Sequence, residues 1–168
     1  MDNRQQYLKL IFGKVCSGKN TYAAENYPNA QIFDIGEIVR QLTQVKSRTH
    51  DHTLDQQIIA HLIRELNWSK ANTDTMVIVG IRQLSILKAI EKEVEGGIFD
   101  IERIWLEVPE GILKARYADR AAQKDTCLDF ETAIKRDSLL GLDEVVEYLH
   151  TIKTIIIENY NRNEDYIL

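Results

Sequence analysis

Tyr7-Leu8-Lys9-Leu10-Ile11-Phe12-Gly13-Lys14-Val15-Cys16-Ser17-Gly18-Lys19 is the stretch that decides how this chain folds. Tyr7 to Phe12 is a short apolar run ending at a glycine, as a buried parallel strand feeding a turn does. Gly13 to Lys19 fits G-x-x-x-x-G-K, and a helix is expected from about Lys19. In that context Gly13 and Gly18 let the loop wrap a phosphate, with the amides from Lys14, Val15, Cys16 and Ser17 turned inward. The helix N-terminus adds positive potential, and Lys19 bridges the β- and γ-phosphates of a nucleoside triphosphate, taken to be ATP. The residue after the lysine is usually Ser or Thr, whose hydroxyl ligates Mg²⁺; here it is Asn20, followed by Thr21. Asn20 offers a carbonyl oxygen instead, unless the metal rests on phosphates, water and one carboxylate. Cys16 reads as a small space-filling residue within the loop.

Working outward, Gln31 to Asp34 is a second strand, and Ile35 to Gln44 places Ile35, Ile38, Val39 and Leu42 at helical spacing. A polar loop spans Lys46 to Thr53. Leu54 to Asn67 is an amphipathic helix with Leu54, Ile58, Leu62 and Leu66 on one stripe. Thr75 to Val79 is the most strand-like run and is expected at the centre of the sheet. Helices follow over Ser85 to Glu95, Glu110 to Gln123, Asp129 to Ser138 and Leu142 to His150, with strands at Ile104 to Val108 and Thr154 to Ile157. Strands alternating with helices imply right-handed crossovers and a three-layer α/β/α fold on a parallel sheet of about five strands, with ligands at the strands' carboxyl ends.

The 168 residues suit one domain able to bury a core without disulfides. A net charge of −5 argues against a protein that coats nucleic acid, since that affinity rests on many lysines and arginines. No run is apolar enough for a membrane span, and the polar start Met1-Asp2-Asn3-Arg4 is unlike a signal peptide, so a cytoplasmic protein without a membrane partner is expected. Cys16 and Cys127 form no disulfide or metal pattern. His50-Asp51-His52 lacks a third ligand at a convincing spacing and reads as solvated. Trp68 and Trp105 read as packing residues rather than base-stacking ones. No serine, cysteine or lysine stands in a nucleophile elbow.

The order of motifs after the loop resembles the nucleoside monophosphate kinase group of P-loop proteins, which includes adenylate kinase, dephospho-CoA kinase and the bacteriophage deoxynucleoside monophosphate kinases. Asp34-Ile35-Gly36-Glu37-Ile38-Val39-Arg40 is similar to the segment where those enzymes carry S-T-G-D-x-x-R. The resemblance gives Arg40 the acceptor phosphate and sets Glu37 beside it; a solvated helix arginine is the plainer alternative. Asp34 stands where those enzymes have Ser or Thr, while dephospho-CoA kinase and polynucleotide kinase are similar to this chain in having Asp there. A carboxylate suits a hydroxyl acceptor, whose proton it takes, although Asp34 could instead hold Mg²⁺ or cap the following helix.

Gly80-Ile81-Arg82-Gln83 resembles D-x-R-Q of the phage enzymes with the aspartate missing, so Asp34 or Glu37 would inherit the Mg²⁺-water duty, or it would be dispensed with, and Arg82 and Gln83 would meet the acceptor. For Arg82 a structural salt bridge competes. Arg116 and Arg120, four apart on one helix face with Lys124 a turn further, resemble the lid pair that closes over ATP and stabilises the transferring group; a charged surface face is the alternative. Arg136-Asp137 resembles a later basic position, and Asn159 matches the loop flanking adenine. The resemblance implies one kinase domain over residues 1–168, with small acceptor-binding (about 35–70) and lid (about 116–130) insertions. It implies ATP and Mg²⁺ as cofactors and a nucleotide or nucleic-acid acceptor: a nucleoside monophosphate, or a hydroxyl such as a 5-hydroxymethyl pyrimidine in phage DNA. A nucleotide-binding regulatory or assembly module without turnover is the rival class.

Overall fold

The computed structural model describes residues 5–43, 53–69, 73–97, 99–124 and 129–161. Arg48, His50-Asp51-His52 and Cys127 lie outside the described residues, as does nearly all of the Lys46 to Thr53 loop. Five strands, β1 (Gln6–Phe12), β2 (Gln31–Asp34), β3 (Thr75–Val79), β4 (Phe99–Glu107) and β5 (Ile155–Glu158), form one sheet in the order β2-β3-β1-β4-β5. All four pairings are parallel. Seven described helices, α1 (Lys19–Asn26), α2 (Ile35–Thr43), α3 (Thr53–Ser69), α4 (Leu84–Val94), α5 (Glu110–Lys124), α6 (Phe130–Leu140) and α7 (Leu142–Leu149), make the connections.

The layers follow from the two-residue period of a strand. Leu8, Leu10 and Phe12 of β1, with Met76 and Ile78 of β3, face one core shared with α2, α3, α4 and α7. Ile11, Val77, Val79, Ile104 and Leu106 face the other, against Ala23 of α1. Thus the sheet is covered on both sides, giving the three-layer α/β/α fold read from the sequence. Ile58, Leu62 and Leu66, the α3 stripe, are fully buried, and truncating any one to alanine would cost about 2–5 kcal/mol. Among the described residues no helix is long and apolar enough to cross a membrane.

Three expectations need correction. The middle strand is β1, not β3, which lies one place toward the β2 edge. Both are apolar on both faces, and only the crossovers decide which sits in the centre. β4 begins at Phe99 rather than Ile104, pairing with β1 from Gln6 onward; Glu102 and Arg103 hide this start by interrupting the apolar pattern, yet both charges are matched: Lys9 stands 3.3 Å from Glu102, and Glu91 of α4 stands 3.0 Å from Arg103. Trp105 packs against the larger core, whereas Trp68, expected to pack, is 57% exposed.

Candidate active site

At the carboxyl end of β1 the chain turns through Gly13 to Gly18 and enters α1 at Lys19. Ser17 N–H donates to the Lys14 carbonyl at 3.1 Å, closing the turn. Gly13 is required by contact: a Cβ there would stand 2.3 Å from Ser17 Oγ, and Ser17 is buried. Gly18 is required by conformation, with φ of 84° as the residue capping α1. Cys16 adopts the left-handed region without being glycine, at φ 61°, a strained conformation of the kind held at binding loops. The loop is therefore wrapped as the phosphate reading requires.

Lys19 Nζ donates to the carbonyls of Gly13 and Lys14, each at 2.8 Å, and lies 3.4 Å from Ser17 Oγ. The residue as a whole is half-buried, but its ammonium is enclosed by the loop. Burial lowers its pKa to about 8; Arg82 pushes the same way, while Asp137 and Asp34 oppose it. Lys19, Arg82, Asp34 and Asp137 are thus near neighbours. Lys14, Asn20 and Thr21 are exposed and Val15 is half-buried.

Asp34 ends β2 and caps α2. Its Oδ1 accepts the Gly36 amide at 2.8 Å, the N-cap alternative, and its Oδ2 accepts Asn20 Nδ2 at 3.0 Å. The two residues offered as metal ligands are therefore in contact. Asp34 pairs in register with Val79, and a Cβ on Gly80 would stand 3.7 Å from Asp34 Oδ1. Asp34 thereby occupies the neighbourhood that a carboxylate at position 80 would share, and two carboxylates there would repel. The donors are hard oxygens suited to Mg²⁺. Among the described residues no cluster of three or more His, Cys, Asp or Glu could hold a metal by itself, so the ion would depend on phosphates and water for most of its shell.

Arg40 is exposed and bound to its neighbour one turn back, with Nη2 2.6 Å and Nε 3.0 Å from Glu37 Oε2. Arg82 Nε stands 2.9 Å from Asp137 Oδ1, an ion pair whose angle falls outside that of a hydrogen bond. The structural salt bridge weighed for Arg82 is thus real, and it lies at the loop, because Asp137 Oδ2 also accepts the Val15 amide at 2.8 Å. Gln83 is buried at the start of α4, where its Oε1 has no hydrogen-bond partner among the described residues.

The lid pair divides. Arg116 reaches the loop, with Nη2 donating to the Asn159 carbonyl at 2.9 Å and Nη1 to the Cys16 carbonyl at 3.4 Å. Arg120, one turn further along α5, is exposed. Tyr117 packs edge-on against Phe130 at 5.9 Å, in the apolar cluster that also takes Val15 and Cys16 of the loop. Asn159 Nδ2 donates to the Ser17 carbonyl at 2.8 Å. Beside these residues a cavity of about 670 Å³ is lined by Cys16, Gly18, Thr21, Arg116, Asn159 and Tyr160, among others, large enough for a nucleoside. The residue sequence reasoning underrated is Asp137, which its local sequence does not distinguish from any other helix carboxylate.

No protein-family model matches the sequence, and no curated protein does. Solved structures match by shape. A chain of the Pnkp1/Rnl/Hen1 RNA repair complex superposes with a TM-score of 0.69 at 14% identity, covering 96% of this chain and 51% of that chain. A gluconokinase from Sinorhizobium meliloti 1021 superposes with a TM-score of 0.50 at 14% identity, covering 98% of this chain and 89% of that one. This chain thus spans about half the length of the first. At such identity the likeness establishes the fold alone, a three-layer α/β/α arrangement on a five-stranded parallel sheet.

Proposed function

We propose that the chain is an ATP-dependent P-loop kinase, akin to the nucleoside monophosphate kinase group, that moves the γ-phosphoryl group to a hydroxyl on a nucleotide-type acceptor. The carrying observation is Asp34: its carboxylate sits at the carboxyl end of β2, beside Asn20 of the loop helix, and makes no ion pair among the described residues. By contrast, both arginines offered to an anionic acceptor already have carboxylate partners, Arg40 with Glu37 and Arg82 with Asp137. A neutral alcohol needs no extra cation but does benefit from a base.

In this reading the loop amides and Lys19 hold the triphosphate, and Asn159 and Arg116 frame the cavity for its base. Mg²⁺, when bound, would neutralise β- and γ-oxygens, with Asn20 and Asp34 as the protein oxygens within reach. Asp34 takes the hydroxyl proton as the acceptor oxygen bonds to phosphorus and the bond to ADP breaks. Arg82, Arg116 and Arg120 stabilise charge on the group in transit, Arg120 from the lid segment of roughly residues 116–130. The acceptor enters beside the segment of roughly residues 35–70, past Glu37, Arg40 and Gln83. A monophosphate acceptor is the second reading, favoured by the exposed Arg40–Glu37 pair, since exposed pairs of this kind are worth only about 0–1 kcal/mol and a dianion could displace the glutamate.

Labelled ATP with magnesium tests both. The acceptor panel is free deoxynucleoside monophosphates, DNA carrying 5-hydroxymethyl pyrimidines, an RNA oligonucleotide with free terminal hydroxyls, and gluconate, the last two because of the structural neighbours. Label on a hydroxyl is the expected outcome. Label on the monophosphates alone would overturn the hydroxyl assignment, and ATP binding without any transfer would favour a module that has lost turnover.

A further inference from the structure

α6 is fixed at both ends. Asp129 caps its start, accepting the Thr132 amide at 2.7 Å, and Gly141 closes its end at φ 112°. A Cβ on Gly141 would stand 3.1 Å from the Arg82 carbonyl and 3.9 Å from Gln83 Cα, so the last turn of α6 presses directly on the segment leaving β3. From that turn Asp137, only 3% exposed, reaches Val15 with one oxygen and Arg82 with the other.

A buried carboxylate beside an anion-binding loop is costly, because it loses hydration and repels the phosphates the loop exists to hold. A latch for the Val15 amide alone could be neutral. What a charge adds is a hold on Arg82 through Nε. The terminal Nη groups of Arg82 make no hydrogen bond with any described residue, and a guanidinium anchored in this way keeps its paired N–H fork for a phosphoryl group. Asp137 also offsets the crowding of Lys19 by Arg82, acting on the lysine with the opposite sign.

We propose that Asp137 is a positioning residue: from the end of α6 it aims the free fork of Arg82 at the phosphoryl group in transit while latching the loop at Val15. The inference rests on the loop's reading as a triphosphate site. It goes beyond the proposed reaction by tying the loop and the arginine to a single buried carboxylate.

The test separates binding from aiming. Asp137→Asn keeps an oxygen for the Val15 amide and removes the charge that holds Arg82. It should bind ADP with magnesium within about threefold of the parent chain, yet bind ADP with magnesium and aluminium fluoride, a mimic of the group in transit, at least about tenfold more weakly. Arg82→Ala should lose as much, and the double variant no more than Arg82→Ala alone, because the two act as one unit. Asp137→Glu, which restores the charge at a shifted position, should fall between and serves if Asp137→Asn does not fold. Unchanged affinity for the mimic in these variants, additive losses in the double variant, or a parent chain that binds the mimic no tighter than ADP would each overturn the proposal. Transfer from labelled ATP is scored separately. The expected mimic pattern in a chain that labels no acceptor would end the kinase reading and leave Asp137 its role; labelled product with mimic affinity intact in Asp137→Asn would do the reverse.

Discussion

Asn159 donates its Nδ2 hydrogen to the carbonyl of Ser17 across 2.8 Å, joining positions 142 apart in sequence. The turn after β5 is thereby fastened to the Gly13 to Gly18 loop, and Arg116 reinforces the join from α5. Asn159→Ala should weaken MgATP about fivefold, the worth of one net hydrogen bond of about 1 kcal/mol, with a similar loss of stability. Gly18→Ala should be worse on both counts. Its Cβ would meet Asn159 Nδ2 at 2.7 Å with φ at 84°, and a left-handed conformation alone costs a non-glycine residue about 1–2 kcal/mol. Calorimetric titration and urea unfolding of the two variants check the ranking.

Asp34 serves two masters, the α2 cap through Oδ1 and the site through Oδ2. Asp34→Asn keeps an oxygen for the Gly36 amide, so stability and ATP affinity should barely move while transfer to a hydroxyl falls about a hundredfold or more. Asp34→Ala should lose the transfer and also about 1 kcal/mol of stability from the missing cap. Full transfer by Asp34→Asn would remove Asp34 as the base.

The wrapped loop is legible in the sequence because its signal is local: seven consecutive residues between a strand and a helix. So are the interior strands β1 and β3, which read as apolar runs because most of their residues are buried, while the edge strands β2 and β5 are short apolar runs that stay partly exposed. What escapes a linear reading is pairing across distance. The first half of β4 looks too charged for a strand until Lys9 and Glu91 are seen to match Glu102 and Arg103. The spacing of Arg116 and Arg120 assigns them a helix face, but not the neighbour that face meets. Arg116 finds the carbonyls of Cys16 and Asn159, so it is a strut of the cavity beside the loop. Asp137 is illegible for the same reason: its partners lie at positions 15 and 82.

The Glu37–Arg40 pair discriminates between the two acceptor classes. It is half-exposed on both sides and so contributes little to stability, about 0–1 kcal/mol. Glu37→Gln should leave the unfolding midpoint unchanged and release Arg40. If the acceptor is a neutral hydroxyl, its KM should stay within about twofold, since no new charge is there to meet the freed guanidinium. A KM that drops severalfold for a monophosphate would mark that anion as the acceptor Arg40 awaits.

If the loop holds ATP as proposed, Lys19 should make that binding sensitive to pH from an unusual side. In the free chain, burial and Arg82 bring its pKa down to about 8. A bound triphosphate favours the charged form and raises the pKa again. Between those two values the free chain has shed a proton that the complex must recover, so binding takes up a proton and weakens as pH rises above about 8. The same lowering bears on folding with a definite sign. The unfolded chain, with Lys19 at 10.5, holds the proton that the folded chain releases from about 8 upward. Burial of this lysine therefore opposes folding fully below pH 8, and the penalty is relieved as pH climbs toward 10.5. Titrating MgATP from pH 6.5 to 9.5, a range spanning the lowered pKa of about 8, should give a Kd that is flat and then rises by up to about tenfold per unit. Lys19→Met should bind weakly throughout and lose the pH dependence, while its stability should exceed that of the parent chain at neutral pH. A parent Kd that stays level across pH 8, or a Met variant that still shows the rise, would place the titrating group elsewhere than on the lysine that closes the loop.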